Sequence, residues 1–102
     1  MPCGLIIVGG GAAGLMASVT AGELHIPSLL IERRHRPGLK LLLCGNNRCN
    51  VSNDSDTEEM LSEYCPEVRR VLDYAIRAFP PDALRAWFRR HGLQTIVRGR
   101  RI

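Results

Sequence analysis

The chain has 102 residues, of which 45% are hydrophobic and 24% charged, and its formal net charge at pH 7 is +4. This apolar content is ordinary for a globular protein and excludes a disordered chain. The basic residues are dispersed and are not interleaved with aromatic residues, which argues against a nucleic-acid partner. No apolar run approaches the ~20 residues of a membrane helix and no signal peptide pattern is present, so we expect a cytoplasmic protein with no membrane partner and with reduced thiols.

The first stretch with a specific pattern predicts a strand over residues 5–8, a helix over about 11–24 and a second strand over 28–32. Between the first strand and the helix, Gly9 would form a tight turn and Gly11 would let the backbone approach a pyrophosphate. Gly14 would let the helix pack closely on the strand. The helix N-terminus would face the diphosphate, and Glu32 would accept hydrogen bonds from ribose hydroxyls. This order of elements predicts an α/β dinucleotide-binding unit.

A second stretch, residues 39–53, predicts an extended segment followed by a polar loop. The apolar run 39–44 is expected to be extended, with a tight turn at Asn46-Asn47 in the loop that follows. Glycine and asparagine are costly in regular structure but suit a loop that faces a polar ligand. Arg48 in such a loop suits a diphosphate oxygen or a flavin carbonyl.

The remainder of the chain is predicted to be mainly helical. Asp56 or Thr57 can cap a short helix that runs to residue 64, and prolines can begin two longer helices, over 66–79 and 81–91. Gly92 is expected at the end of the last helix, with a strand over 93–97 after it. Trp87 and Phe88 are expected to pack in the core rather than stack on a flavin.

Several of these residues resemble a known group. Gly9–Leu15 followed by Glu32-Arg33 is similar to the N-terminal FAD site of two-dinucleotide-binding flavoproteins. Residues 38–53, GLKLLLCGNNRCNVSN, resemble the GRKLLxSGxGRCNxTN signature of one bacterial family of NAD(P)/FAD-dependent oxidoreductases, which includes aminoacetone oxidase-like and bile-acid-reductase-like flavoproteins. Residues 87–102 resemble its FFxxxGV…GRxFP segment. The chain departs from the signature at Leu39, Cys44 and Asn47.

The resemblance covers the whole chain but only the N-terminal part of a family member. It therefore implies a truncated, partial Rossmann-like FAD-binding domain over residues 1–102: a βαβ unit, a glycine/asparagine loop, then helices. It also implies a set of cofactor-binding residues, which are Gly9, Gly10, Gly11, Ala12, Ala13, Gly14, Glu32, Arg33, Lys40, Gly45, Arg48, Cys49, Asn50 and Asn53. Cys49 lacks a CxxC partner or an adjacent base, so we expect a buried, inert thiol. No metal site is expected, and no catalytic residue can be assigned.

The function expected from these residues is that of a flavin-dependent oxidoreductase that binds FAD, with NAD(P)H as a candidate electron donor and an unidentified small-molecule substrate. One alternative is a dehydrogenase that uses the same turn for NAD. Another is a non-enzymatic nucleotide-binding module. The 102 residues alone are expected to bind FAD poorly and to be inactive.

Overall fold

The computed structural model describes residues 4–44 and 48–102. These residues form two compact units, one that ends at Cys49 and one that begins at Asn50. The elements in chain order are β1 (Leu5–Val8), α1 (Ala12–Glu23), β2 (Ser28–Ile31), α2 (Leu39–Leu43), α3 (Thr57–Ser62), α4 (Pro66–Ala78) and α5 (Pro81–Arg90). The predicted α/β class, with a partial Rossmann-type domain, is confirmed.

In the first unit, β1 and β2 are parallel neighbours joined through α1, as predicted. Their register pairs Leu5 with Ser28 and Val8 with Ile31. Ile7 is buried on the face that α1 covers. Because side chains alternate along a strand, the opposite face carries a set of apolar side chains that are all exposed: Ile6, Val8, Leu29 and Ile31.

Helix α1 ends in a reverse turn that usually contains glycine but here contains His25. The N–H of His25 donates to the Gly22 carbonyl at 3.0 Å, and the N–H of Ile26 donates to the Ala21 carbonyl at 2.8 Å. This pair of bonds satisfies the last carbonyls of the helix and requires a left-handed residue between them. His25 has φ 55°, a conformation that crowds its Cβ against the backbone.

We expect His25→Gly to raise the free energy of unfolding by about 0.5–1 kcal/mol, because glycine adopts the left-handed conformation without a steric cost. Chemical denaturation of the wild type and the variant measures the difference. His25→Ala is the matched control and should give no gain, since alanine keeps the Cβ. A gain of the same size in both variants would show that the imidazole, and not the backbone conformation, is unfavourable.

Two predictions about regular structure are wrong. Residues 39–43 form the helix α2 instead of an extended segment. Leucine and lysine are good helix formers, and a short, mostly apolar run cannot be assigned by periodicity because it fits a buried strand and a helix equally well. Residues 93–97 form no strand; regular pairing in this part is limited to isolated bridges that involve Asn53, Arg98 and Arg101.

The second unit contains the three predicted helices. The Asp56 side chain caps α3 by accepting the Glu59 N–H at 2.8 Å, and Leu61 on α3 is fully buried. Helices α4 and α5 both begin at proline, as expected from its fixed φ and missing N–H. Gly92 follows α5, as predicted, and its φ of +80° is the left-handed conformation typical of a glycine that ends a helix. No helix in the described residues is long and apolar enough to cross a membrane.

Trp87 and Phe88 on α5 contact each other edge to face, with ring centroids 5.1 Å apart. Both are half-buried instead of fully enclosed. Trp87 also lies against the His91 ring, with centroids 4.3 Å apart. The two aromatic side chains therefore pack locally, within one end of α5.

Candidate functional site

The turn between β1 and α1 requires glycine at two positions for different reasons. Gly9 has φ +100°, which side chains disfavour, and its N–H donates to the Ile31 carbonyl at 2.8 Å, so the turn continues the pairing of the two strands. A Cβ at Gly14 would overlap the Gly9 carbonyl oxygen and would lie 3.5 Å from the Ile7 side chain. Gly14 therefore permits the close approach of α1 to β1 that the sequence predicted.

The Gly10 peptide is held by residues that follow β2. Its N–H donates to Glu32 Oε2 at 2.7 Å, and its carbonyl accepts the Gly38 N–H at 2.7 Å. A Cβ at Gly10 would lie 2.7 Å from the Pro37 Cβ and 3.0 Å from Glu32 Oε2. The middle of the turn is therefore fixed in place from both sides before any ligand is considered.

Glu32 is half-buried, and each of its carboxylate oxygens accepts a backbone N–H. Oε1 accepts from Arg34 at 2.8 Å, while Oε2 accepts from Gly10. The N–H groups of Arg34 and Gly10, with a smaller contribution from Arg33, lower the pKa of the Glu32 carboxyl below its ordinary value of 4.5, although partial burial opposes them. A carboxylate oxygen accepts more than one hydrogen bond, so the group retains capacity for a ligand hydroxyl.

We expect Glu32→Gln to lower the denaturant midpoint of unfolding at pH 7, because the amide NH₂ cannot accept an N–H. The pKa of Glu32 is lower in the folded chain than in the unfolded chain, so its contribution to stability is present above pH 4.5 and is lost as the pH falls through the folded pKa. The difference in denaturant midpoint between the variant and the wild type should therefore become smaller as the pH is lowered. Denaturation curves at several pH values measure it. Glu63→Gln, which removes the same charge from an exposed position, is the control and should leave the denaturant midpoint at pH 7 nearly unchanged. If the midpoint of Glu32→Gln differed from that of the wild type by the same amount at every pH from 7 down through the acid range, the role assigned to the carboxylate would be contradicted.

The open side of the turn is formed by Gly11 and the start of α1. A Cβ built at Gly11 meets no atom within 4 Å, and no side chain caps the helix at this position. The first N–H groups of an α-helix have no carbonyl partner within the helix. Those of Ala12, Ala13 and Gly14 are therefore available to an anion, with the positive end of the helix dipole behind them. A space that a side chain at Gly11 would occupy, next to free N–H donors, fits a pyrophosphate.

The structure brings only part of the predicted residue set together. Gly9–Gly14 and Glu32 lie together, joined by the hydrogen bond from Gly10 to Glu32, with Ala12 and Ala13 exposed on the first turn of α1. Arg33 is exposed beside it, and Lys40 is exposed on α2. Gly45 and the predicted Asn46-Asn47 turn lie outside the described residues.

The predicted residues of the asparagine-rich segment divide between the two units. Arg48 and Cys49 close the first unit and are exposed, whereas Asn50 and Asn53 belong to the second. The prediction that Cys49 is buried is wrong: it is an exposed free cysteine, because it lies in the irregular segment 48–50, where all three residues are exposed. Asn50 is exposed, while Asn53 is half-buried and accepts the Ser55 hydroxyl on Oδ1 at 2.9 Å.

A family model for the HI0933-like protein Rossmann domain matches residues 3–101 of this chain. The chain belongs to the HI0933-like Rossmann-domain family. This is a family of FAD-binding oxidoreductases, as the resemblance of the sequence implied.

Two curated relatives resemble parts of the chain. The ribosomal RNA dihydrouridine synthase of Escherichia coli K12 is 46% identical over 48 residues, which are 47% of this chain and 12% of that protein. The 3-dehydro-bile acid delta(4,6)-reductase of Clostridium scindens is 30% identical over an alignment of 97 residues that covers 91% of this chain and 22% of that protein. The chain thus spans about a fifth or less of the length of these relatives.

Sequence reasoning missed the contribution of residues 34–38 to this HI0933-like Rossmann domain. A Pro-Gly pair by itself predicts only a turn. Here Pro37 packs on Gly10, and the Gly38 N–H donates to the Gly10 carbonyl. The available signal was the Pro-Gly pair itself, with Gly38 at φ +76°. Within the described residues of the domain, no group of three or more His, Cys, Asp or Glu side chains could hold a metal ion.

Proposed function

We propose that this chain binds FAD through the turn Gly9–Gly14 and serves as the cofactor-binding part of a flavin-dependent oxidoreductase. The observation that carries the proposal is the combination of an open Gly11, free N–H groups at the start of α1 and an ionised Glu32 at the end of β2. The open Gly11 and the free N–H groups suit a pyrophosphate, whereas the Glu32 carboxylate suits ribose hydroxyls. A dinucleotide contains both groups.

In this proposal the N–H groups of Gly11 to Gly14 bind the pyrophosphate oxygens, and Glu32 accepts a ribose hydroxyl on the lone pairs that Gly10 and Arg34 leave free. Arg33 adds a positive charge near the same end of β2. The residues proposed to line the path toward the flavin are Lys40, Gly45, Arg48, Asn50 and Asn53, and Cys49 is proposed as a further cofactor-binding residue. When bound, FAD supplies a two-electron carrier, while the chain supplies its position and its electrostatic surroundings.

An NAD-dependent dehydrogenase is the alternative, since Glu32 and the turn suit the adenosine half of either dinucleotide. Family membership favours FAD. A non-enzymatic nucleotide-binding module is less well supported, because both curated relatives carry the names of enzymes. A cytoplasmic location is part of the main proposal and agrees with the free, exposed cysteines Cys44, Cys49 and Cys65.

The names of the relatives also suggest a class of reaction. One makes dihydrouridine in ribosomal RNA, and the other is a delta(4,6)-reductase of a 3-dehydro bile acid. Both names describe the addition of two hydrogens across a carbon–carbon double bond that is conjugated with a carbonyl. We propose the same class of bond for this protein's substrate: a hydride adds to the carbon remote from the carbonyl, a proton adds to the neighbouring carbon, and NAD(P)H is oxidised to NAD(P)⁺.

The test uses the complete protein in which this sequence occurs. We expect it to purify with the absorbance of an oxidised flavin, and we expect acid extraction to release FAD and no FMN. Chromatography of the extract against both standards makes the distinction. Isolation of FMN alone, or of a colourless protein that binds NAD but not added FAD, would reject the proposal.

A separate assay tests the reaction class. Oxidation of NAD(P)H that depends on an added enone would support it, and the absence of such oxidation with both steroid and uridine substrates would contradict it.

A further inference from the structure

Three residues of the second unit lie side by side across a small antiparallel pairing. Arg98 and Arg101 close a tight turn in which each N–H donates to the carbonyl of the other, at 2.9 and 3.1 Å, with Gly99 at φ +60° between them. On its other side Arg101 is bridged to Asn53. This second pairing is fixed by the Ile102 N–H to the Ser52 carbonyl, 3.0 Å, and the Asp54 N–H to the Arg100 carbonyl, 2.9 Å.

Residues directly opposite each other in an antiparallel pair present their side chains on the same face. The bonds around Asn53 and Arg101 are those of a non-hydrogen-bonded pair, for which the Cα atoms lie about 4.5 Å apart; the Arg98–Arg101 pair is hydrogen-bonded, with a separation of about 5.5 Å. The side chains of Asn53, Arg101 and Arg98 therefore leave the backbone on the same face, in one row. We call this row the Arg98–Arg101–Asn53 row.

The charges in the row are unbalanced. Arg98 and Arg101 are exposed like charges directly opposite each other, an arrangement that destabilises an antiparallel pair. Neither side chain has a hydrogen-bond or ion-pair partner among the described residues. Two carboxylates of the same unit face other arginines: Asp54 faces Arg85 at 3.8 Å, and Glu59 binds Arg100. The row therefore concentrates two positive charges that no carboxylate in the described structure neutralises.

Asn53 adds a hydrogen-bond donor with a fixed direction. Its Oδ1 accepts the Ser55 hydroxyl at 2.9 Å, so the amide NH₂ points away from that bond. An amide NH₂ and two guanidinium groups in a row contain only donors. Such a set is complementary to an oxyanion, and arginine forks match the geometry of phosphate.

We propose that the Arg98–Arg101–Asn53 row binds a phosphate group, carried either by free phosphate or by a nucleotide. This site lies in the second unit and shares Asn53 with the residues proposed to line the path toward the flavin. Arg98 and Arg101 are not among those residues, so the site does not depend on pyrophosphate binding at Gly9–Gly14. Bound phosphate relieves the repulsion between Arg98 and Arg101 and accepts from the Asn53 amide. The turn at Gly99 holds the backbone of the two arginines in place, so binding orders only their side chains.

The test uses the isotopically labelled complete protein in which this sequence occurs, titrated with inorganic phosphate and, separately, with ADP at constant ionic strength. The titration is followed by NMR of the arginine Nε–H and backbone signals of residues 98–101. We expect saturable shifts at these residues. Arg98→Gln and Arg101→Gln should each weaken binding about tenfold, the loss typical of one charge-assisted hydrogen bond. Arg70→Gln removes an equal charge from an exposed position on α4 and should change the affinity by less than about twofold.

Asn53→Asp separates the proposal from a folding defect. An aspartate retains the acceptor for Ser55 and pairs with Arg101, so the thermal midpoint should not fall, while phosphate binding should be lost to the internal carboxylate. Saturable shifts at residues 98–101 with both titrants would show that free phosphate is enough for binding. Shifts at these residues with ADP alone would show that the phosphate must belong to a nucleotide. Either result supports the site. Absence of saturable shifts with both titrants, or an equal loss in Arg70→Gln, would overturn it.

Discussion

Replacing Gly14 by alanine should lower the free energy of unfolding by about 3 kcal/mol or more, because a methyl group at this position cannot fit between α1 and β1. The added Cβ would overlap the Gly9 carbonyl oxygen and would lie 3.0 Å from the carbonyl carbon. Both atoms belong to the backbone of the turn, so the overlap is relieved only by moving the helix or the turn. Either movement disturbs the buried contact with Ile7.

Gly22 provides the matched control, because it lies near the end of the same helix and a Cβ there would meet nothing within 4 Å. Gly22→Ala should leave stability unchanged or raise it by about 0.5–1 kcal/mol, the usual gain for alanine over glycine in a helix. Urea denaturation of both variants measures the effects. Equal midpoints for Gly14→Ala and the wild type would show that α1 does not pack on β1 as described.

Gly11→Val should abolish FAD binding, with a loss of at least about 100-fold in affinity, while the fold is retained. Gly11 has φ −79° and ψ −168°, an extended conformation that any residue adopts, and a Cβ has open space around it. The substitution therefore does not strain the chain itself. It fills the space through which we propose that the pyrophosphate reaches the N–H groups of α1.

The measurement is the flavin content of the complete protein after gel filtration, together with its denaturation midpoint without added cofactor. Gly11→Val and Gly14→Ala should give opposite patterns: the first loses cofactor and keeps its stability, and the second loses stability. Gly22→Ala should retain both properties. Stoichiometric FAD in the purified Gly11→Val protein would mean that the pyrophosphate binds elsewhere.

The βαβ unit could be predicted from sequence because its determinants are local. Apolar runs mark the strands, and the glycine spacing marks the turn, so residues 5–8 and 28–31 were assigned with at most one residue of error. The glycine-rich turn also concentrates much of the candidate site within six consecutive residues. The helices that begin at Pro66 and Pro81 were equally accessible, since proline fixes the first turn.

What could not be predicted depends on pairing between distant residues or on an ambiguous pattern. The run 39–43 contains only leucine and lysine, which fit a helix or a buried strand. The bridge between Asn53 and Arg101 joins residues far apart in sequence, and no local pattern encodes it. The N–H groups of Gly10 and Arg34 both donate to the Glu32 carboxylate. These hydrogen bonds follow from the path of the chain after β2, which a residue pattern does not specify.

The contacts around Gly10 impose a constraint on how this sequence can vary. The Gly10 N–H donates to the Glu32 carboxylate, and the Gly10 carbonyl accepts the Gly38 N–H. The absence of a side chain at Gly10 leaves room for Pro37. An insertion or deletion between residues 32 and 38 would displace the Gly38 N–H. The Gly10 carbonyl, and with it the turn between β1 and α1, would then lose this hydrogen bond. This connection is therefore expected to keep a constant length among related chains, and a side chain at position 10 becomes acceptable only when position 37 changes with it.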